Sequence, residues 1–138
     1  MPQEMGIVSK AVKVLLVDDD PQIRRLLASL LKRHGSFDVM TASSGQEALD
    51  LSRNHSQKID VLITDFEMGS MSGVELYRHI RNERPETEVL FISASADRIR
   101  ELLPECPVLE KPFSLRQFAA RVAELLSMSK AVRSAGAL

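Results

Sequence analysis

Several residue types are scarce in this chain of 138 residues, and each scarcity excludes a class of protein. There is no tryptophan and only one cysteine, Cys106, so an internal disulfide is excluded and a reducing, cytoplasmic location is expected. Neither charge dominates, since 18 basic residues stand against 19 acidic ones, which argues against a protein held to nucleic acid by its overall field. No apolar run approaches the ~20 residues of a membrane span, and we expect neither a membrane partner nor a secretory signal.

The residues that are present fit one globular domain of ordinary size. The length suits one domain rather than two, and the 44% hydrophobic content is enough to form a core. We expect this domain to span residues 12–128, with an N-terminal tail at 1–11 and a C-terminal tail at 129–138. Such tails would leave too little chain for a second domain.

Short apolar runs alternate with helical patterns along the chain. Four runs are nearly continuous, which is typical of strands in a parallel sheet covered on both faces, and a fifth alternates like an edge strand. The continuous runs are 12–17, 61–64, 89–93 and 108–109, and the alternating run is 37–42. This order predicts an α/β fold, a doubly wound five-stranded parallel sheet with helices on both faces.

Local signals indicate where several of the helices begin and end. Asp20 followed by Pro21 is typical of a helix start, and Ser114 is a candidate cap for the last helix. Pro104 truncates the fourth helical pattern, so the fourth helix is expected to be short or irregular. The residues of the first and last helices that are expected to face the core are Ile23, Leu26, Leu27, Leu30, Leu31, Leu115, Phe118, Ala119, Val122, Leu125 and Leu126.

Charged and hydroxyl side chains follow four of the predicted strands. Asp18 and Asp19 follow the first strand, Asp65 the third, Ser93 ends the fourth, and the fifth leads into Lys111. Open α/β sheets bind ligands beyond the carboxyl ends of their strands, so we expect these side chains to converge. Converging carboxylates repel one another unless a cation neutralises them, and Mg²⁺ prefers such oxygen ligands. A carboxylate can also act as a nucleophile toward phosphorus, with Mg²⁺ and a lysine neutralising charge.

Four short motifs, in this order and spacing, resemble the receiver domain of two-component response regulators. They are VLLVDDD at 14–20, LITDFEM at 62–68, FISA at 91–94 and EKPF at 110–113. The resemblance covers about residues 12–127. It implies a flavodoxin-like sheet of strand order 2-1-3-4-5 and a cis peptide bond between Lys111 and Pro112.

The resemblance implies a signalling switch rather than an enzyme with its own substrate. Asp65 would accept a phosphoryl group from a phosphohistidine on a histidine kinase or phosphotransfer protein, and the modified form would bind an output protein. Ser93 would hydrogen-bond the phosphoryl group, and Lys111 would pair with one of its oxygens. The protein would act as a monomer or weak homodimer, either alone or as the receiver of a hybrid histidine kinase.

The resemblance also implies a set of ligands for Mg²⁺ or Mn²⁺. Asp19 would bind the ion directly and Asp18 largely through water, while Asp65 and the backbone carbonyl of Glu67 would complete the set. The acidic side chain of Glu67 adds charge near the site, and we expect it to alter dephosphorylation or metal affinity.

Some positions depart from the usual receiver pattern. Val108 stands where many receivers carry a switch aromatic, and Gly69 stands where proline is common. The segment from Ser93 to Lys111 is also shorter than usual. We therefore hypothesise that signalling uses a surface other than the one formed by helix 4, strand 5 and helix 5.

Two other functions fit part of the same pattern. An aspartate-nucleophile phosphatase of the haloacid dehalogenase type shares the acyl-phosphate chemistry, but that class has Asp-x-Asp at its first strand. Here the best nucleophile, Asp65, is on strand three. A pseudo-receiver adaptor would not be phosphorylated, yet such proteins normally lack one of the acids or the lysine, and all are present here.

Overall fold

The computed structural model describes the backbone of residues 11–34 and 36–137, and the side chains as far as residue 127. Within these residues five strands alternate with five helices. In chain order they are β1 (Val12–Val17), α1 (Pro21–Arg33), β2 (Phe37–Ala42), α2 (Gly45–Asn54), β3 (Val61–Asp65), α3 (Gly73–Glu83), β4 (Glu88–Ser93), α4 (Ala96–Leu102), β5 (Val108–Glu110) and α5 (Leu115–Ala137). The expected N-terminal tail at 1–11 lies, except for residue 11, outside the described residues.

The strands form one parallel sheet in the order β2-β1-β3-β4-β5. This confirms the predicted doubly wound topology. Strand β3 is buried along its whole length, as expected for a strand covered on both faces, and β2 lies at an edge, as its alternating pattern predicts.

Two apolar cores lie on opposite faces of the sheet because successive side chains of a strand point to opposite sides. Leu15 of β1 belongs to the core shared with α2, α3 and α4. Leu16, the next residue, belongs to the core shared with α1 and α5, where Phe118 is fully buried. The helices therefore cover both faces, two on one side and three on the other.

The predicted helix starts are confirmed by their hydrogen bonds. The Asp20 side chain accepts bonds from the backbone N–H groups of Gln22 and Ile23, with Pro21 in the first turn. The Ser114 hydroxyl accepts a bond of 3.0 Å from the backbone of Gln117 at the start of α5. Helix α4 has 7 residues, which confirms the predicted short fourth helix.

Two expectations about the first and last helices are wrong. Leu26 is 48% exposed, because α1 packs against the sheet through Leu27 and Leu31 and turns its neighbour Leu26 toward solvent. Leu115 is 39% exposed; it is the first residue of α5, and the helix packs on the sheet further along, through the buried Phe118 and Val122. Helix α5 continues to Ala137, past residue 128, and the expected domain bounds stay a prediction. Within the described residues, no helix has the length and apolar character needed to cross a bilayer.

Candidate functional site

The carboxyl ends of the strands meet at one edge of the sheet, as the sequence predicts. Val17 pairs with Thr64 across β1 and β3, so the residues that follow, Asp18 and Asp65, emerge side by side. On the other side of β3, Asp65 pairs with Ile92, the residue before Ser93. The parallel register therefore brings residues that are far apart in the chain to one rim.

Three carboxylates form a compact cluster at this rim. Asp18, Asp19 and Asp65 each offer one oxygen, and these oxygens all lie within 4.8 Å of one another. Asp18 is 1% exposed and Asp65 is 8% exposed, whereas Asp19 is open to solvent. Two of the three negative charges are therefore held away from water, which is unfavourable unless a cation compensates them.

The two oxygens of Asp18 differ in their hydrogen bonding. Oδ1 accepts a bond of 2.8 Å from the backbone N–H of Asp20. Oδ2 is buried and has no partner among the described residues. Burial raises the pKa of the Asp18 carboxyl, the Asp20 N–H lowers it, and the neighbouring Asp65 charge raises it further. An unpartnered buried oxygen beside two more carboxylates fits a hard cation such as Mg²⁺.

Asp65 has a direct cationic partner. The Nζ of Lys111 donates a hydrogen bond of 3.1 Å to Asp65 Oδ2. Burial raises the pKa of the Asp65 carboxyl, and this effect outweighs the opposing influence of the Lys111 charge and of the Glu67 backbone N–H. The negative charge of Asp65 is thus partly compensated by Lys111, although two further carboxylates lie close to it.

Ser93 and Lys111 are positioned by the β4–β5 pair. Lys111 N–H donates to the Ser93 carbonyl at 2.9 Å, which extends the ladder one residue beyond β5. The Ser93 hydroxyl oxygen is buried and accepts a bond of 2.7 Å from the backbone N–H of Ser95. The bond between Lys111 and Pro112 is cis, as expected.

Gly73 packs directly against the backbone of Asp65 and Phe66. The sequence pattern did not predict this role. Gly73 N–H donates to the Phe66 carbonyl at 2.8 Å, and a Cβ at Gly73 would lie 2.2 Å from the Asp65 carbonyl oxygen. Only glycine allows α3 to approach this closely. The one local signal is the capping box formed by Ser72 and Glu75, which marks Gly73 as the first residue of α3.

Two other features of this rim concern Glu67 and Arg24. The Glu67 side chain is exposed, and its influence on phosphoryl lifetime or metal affinity stays a prediction. Arg24 of α1 donates from Nη1 to the backbone carbonyl of Asp18 at 2.7 Å. No sequence motif predicts this contact, because every residue has a backbone carbonyl and the sequence does not show which one accepts the bond.

The chain is similar to known proteins over most of its length. A family model described as the response regulator receiver domain matches residues 14–123. The sensor kinase CckA of Brucella abortus is 34% identical over 123 residues, which cover 86% of this chain and 13% of that protein. The alkaline phosphatase synthesis transcriptional regulatory protein PhoP of Bacillus subtilis is 32% identical over 122 residues, covering 86% of this chain and 50% of that protein.

A solved structure shows the same fold. The response regulator receiver domain protein from Clostridium thermocellum superposes with a TM-score of 0.77 at 27% identity, covering 88% of this chain and 98% of that one. The chain thus matches nearly all of a solved receiver domain, but half or less of the two longer relatives.

Proposed function

This chain belongs to the family of response regulator receiver domains, the signalling switches of two-component systems, and we propose that Asp65 is its phosphoacceptor. The observation that carries the proposal is the contact of Asp65 Oδ2 with Lys111 Nζ at 3.1 Å beside two further carboxylates. A nucleophilic carboxylate needs both a cationic partner for the incoming phosphoryl oxygens and a means of neutralising nearby negative charge.

The proposed reaction transfers one phosphoryl group from a phosphohistidine of a partner. An oxygen of the Asp65 carboxylate attacks phosphorus, and the P–N bond breaks with its electron pair remaining on the imidazole nitrogen. An acyl phosphate forms on Asp65. Lys111 pairs with a phosphoryl oxygen. Ser93 accepts the Ser95 N–H and donates its own hydroxyl hydrogen to the phosphoryl group.

We propose that Mg²⁺, or Mn²⁺ in its place, is the cofactor of this step. Asp19 and Asp65 would hold it, with Asp18 acting largely through water and the backbone carbonyl of Glu67 completing the set. When bound, the ion supplies charge neutralisation for the carboxylates and the phosphoryl oxygens. The unpartnered Asp18 Oδ2 supports this assignment, because a buried acceptor without a donor is rare.

We further propose the partners of this receiver. The phosphodonor is a histidine kinase or a phosphotransfer protein, and the phosphorylated form binds an output protein in the cytoplasm. Direct binding to nucleic acid or membrane is not expected, because the formal net charge is only −1. We expect the protein to be a monomer or a weak homodimer.

Acetyl phosphate labelling tests the proposal. With Mg²⁺ present, the intact mass of the wild-type protein should increase by one phosphoryl group, and Asp65→Asn should abolish the increase. Asp50→Asn, which removes an exposed carboxylate on α2, is the matched control and should label normally. A wild-type protein that does not label would instead be a pseudo-receiver. Repeated turnover of a phosphate monoester would indicate the phosphatase alternative.

A further inference from the structure

Arg24 connects helix α1 to the acidic rim. It is the fourth residue of α1, it is half-buried, and its Nη1 donates to the Asp18 carbonyl oxygen at 2.7 Å. Its own backbone N–H donates to the Asp20 carbonyl at 3.0 Å, within the same turn. The backbone bond belongs to the helix and does not depend on the side chain, so the specific contribution of Arg24 is the bond from its guanidinium to the Asp18 carbonyl.

The short segment that carries the acids after β1 is also anchored by Asp20. Its N–H holds Asp18 Oδ1 at 2.8 Å, and its carboxylate caps α1 through the N–H of Gln22 at 2.9 Å. Oδ1 of Asp18 is engaged in this way, while Oδ2 has no hydrogen-bond partner among the described residues. The Arg24 bond fixes the peptide that joins Asp18 to Asp19, and thus the relative placement of their carboxylates.

We propose that Arg24 is a positioning residue for the cation site, an inference that rests on the proposed Mg²⁺-dependent function. Arg24 acts through the Asp18 backbone and does not touch the ion. Hydrogen bonds that orient the ligands of a metal are typically worth 10- to 100-fold in affinity, even though they make no contact with it.

The positioning role and a purely electrostatic role have opposite consequences. Arg24 carries a positive charge near the rim. Hydrogen bonds from Ser43 lower the pKa of the Glu47 carboxyl at the start of α2, and the Arg24 charge lowers it by a smaller amount. Such a charge repels a cation, so its removal alone would strengthen Mg²⁺ binding. Loss of positioning would weaken binding, because the carboxylates would no longer be held together. The direction of the change therefore identifies the role.

Calorimetric titration of the unphosphorylated protein with Mg²⁺ tests this inference. We expect Arg24→Ala to raise the dissociation constant roughly tenfold. Arg24→Lys, which retains a single donor and the charge, should lie between the wild type and Arg24→Ala. The matched control is Arg25→Ala, which removes the same charge from an exposed neighbour on the same helix. Its affinity should equal that of the wild type or be slightly higher.

The outcomes separate this inference from the proposed function. If the wild type binds Mg²⁺ and a folded Arg24→Ala binds it equally or more tightly, the positioning role is wrong. If the wild type itself shows no Mg²⁺ binding, the proposed cation site fails. Should Arg24→Ala not fold, Arg24→Lys decides: weaker binding than wild type supports the inference, and equal binding overturns it.

Discussion

Asp18 and Asp65 are both buried carboxylates, but their hydrogen-bond partners differ. Asp65 has a lysine at 3.1 Å, whereas Asp18 has a backbone N–H on one oxygen and no partner among the described residues on the other. A lysine beside a carboxylate can compensate the negative charge of an incoming phosphoryl group, so the surroundings of Asp65 favour a role as nucleophile. An oxygen without a donor suits a cation, directly or through water.

Gly69 and Gly73, which both follow Asp65, differ in what surrounds them. A Cβ at Gly73 would meet the Asp65 carbonyl oxygen at 2.2 Å, while a Cβ at Gly69 would have nothing within 4 Å. We expect Gly73→Ala to lower the free energy of unfolding by about 1–3 kcal/mol, because backbone must move to relieve the clash. Gly69→Ala should change it by less than about 0.5 kcal/mol.

Urea denaturation of both glycine variants measures this difference, and acetyl phosphate labelling shows whether the shift reaches Asp65. A slower labelling rate in Gly73→Ala than in Gly69→Ala is expected. Equal stability of the two variants would contradict the close approach of α3 to the Asp65 backbone.

At the scale of elements, one side chain joins the end of helix α3 to the last turn of α2 and to the segment that follows α2. Arg84, at the C-terminal end of α3, donates to the Ser52 hydroxyl at 2.9 Å and to the Ser52 carbonyl at 2.8 Å. It also donates to the carbonyls of His55 and Gln57. The Ser52 carbonyl also accepts the His55 backbone N–H at 3.2 Å. Carbonyls at the end of a helix lack the partners that the next helical turn would supply, so a side-chain donor such as Arg84 helps to satisfy them.

The Arg84 network predicts a large effect of substitution. Arg84→Ala should lower the free energy of unfolding by about 2–4 kcal/mol, because several partly buried carbonyls lose a charged donor at once. Arg84→Lys should recover only part of this loss, since an ammonium lacks the planar fork of a guanidinium. The control is Arg78→Ala on an exposed position of α3, which should cost less than about 0.5 kcal/mol in the same urea titration. A similar loss for both alanine variants would refute the role of the network.

Helix α4 contacts the residues of the candidate site in two places. Its cap residue, Ser95, makes no capping bond with its own side chain, but its backbone N–H is held by the Ser93 hydroxyl at 2.7 Å. Arg98 of α4 lies over the ring of Phe66, the residue after Asp65, with its guanidinium carbon 5.7 Å from the ring centre. The hypothesis that signalling avoids the helix 4 surface stays a prediction.

In the whole molecule, the candidate site and the Arg84 network lie at opposite ends of the strands. The acids and Lys111 follow the carboxyl ends of the strands. The Arg84 bonds lie near the amino ends of the strands. There, Thr87 Oγ1 also donates to the carbonyl of Ile59, just before β3, at 2.7 Å. Repulsion among the acids at the carboxyl ends costs stability. The two buried cores and the hydrogen bonds at the amino ends offset this cost.

Cation binding should therefore stabilise the entire fold. At a Mg²⁺ concentration of 100 times the dissociation constant, the free energy of unfolding should rise by about 2.7 kcal/mol, provided that the unfolded chain does not bind the ion. Thermal unfolding in Mg²⁺ and in EDTA measures the effect. Asp18→Asn should reduce the difference and Asp50→Asn should retain it. An unchanged melting temperature on adding Mg²⁺ to a protein that binds it would be inconsistent with this linkage.

The sequence by itself determined the alternation of strands and helices, the start of α1 at Asp20 and of α5 at Ser114, and the four strand ends that carry the site. These features follow from local rules: apolar periodicity, side-chain capping and the meeting of parallel strand ends at one edge. The strand order 2-1-3-4-5 came from the resemblance of the motifs to a known family, not from periodicity.

Only the tertiary structure decided which atoms meet across the fold. The bond from Arg24 to the Asp18 carbonyl, the closeness of Gly73 to the Asp65 backbone and the exposure of Leu26 all depend on how helices sit on the sheet. Backbone carbonyls are identical in every residue, so no side-chain pattern shows which of them a distant donor will reach. A helix stripe shows which residues are apolar, but the packing angle decides which of them are covered.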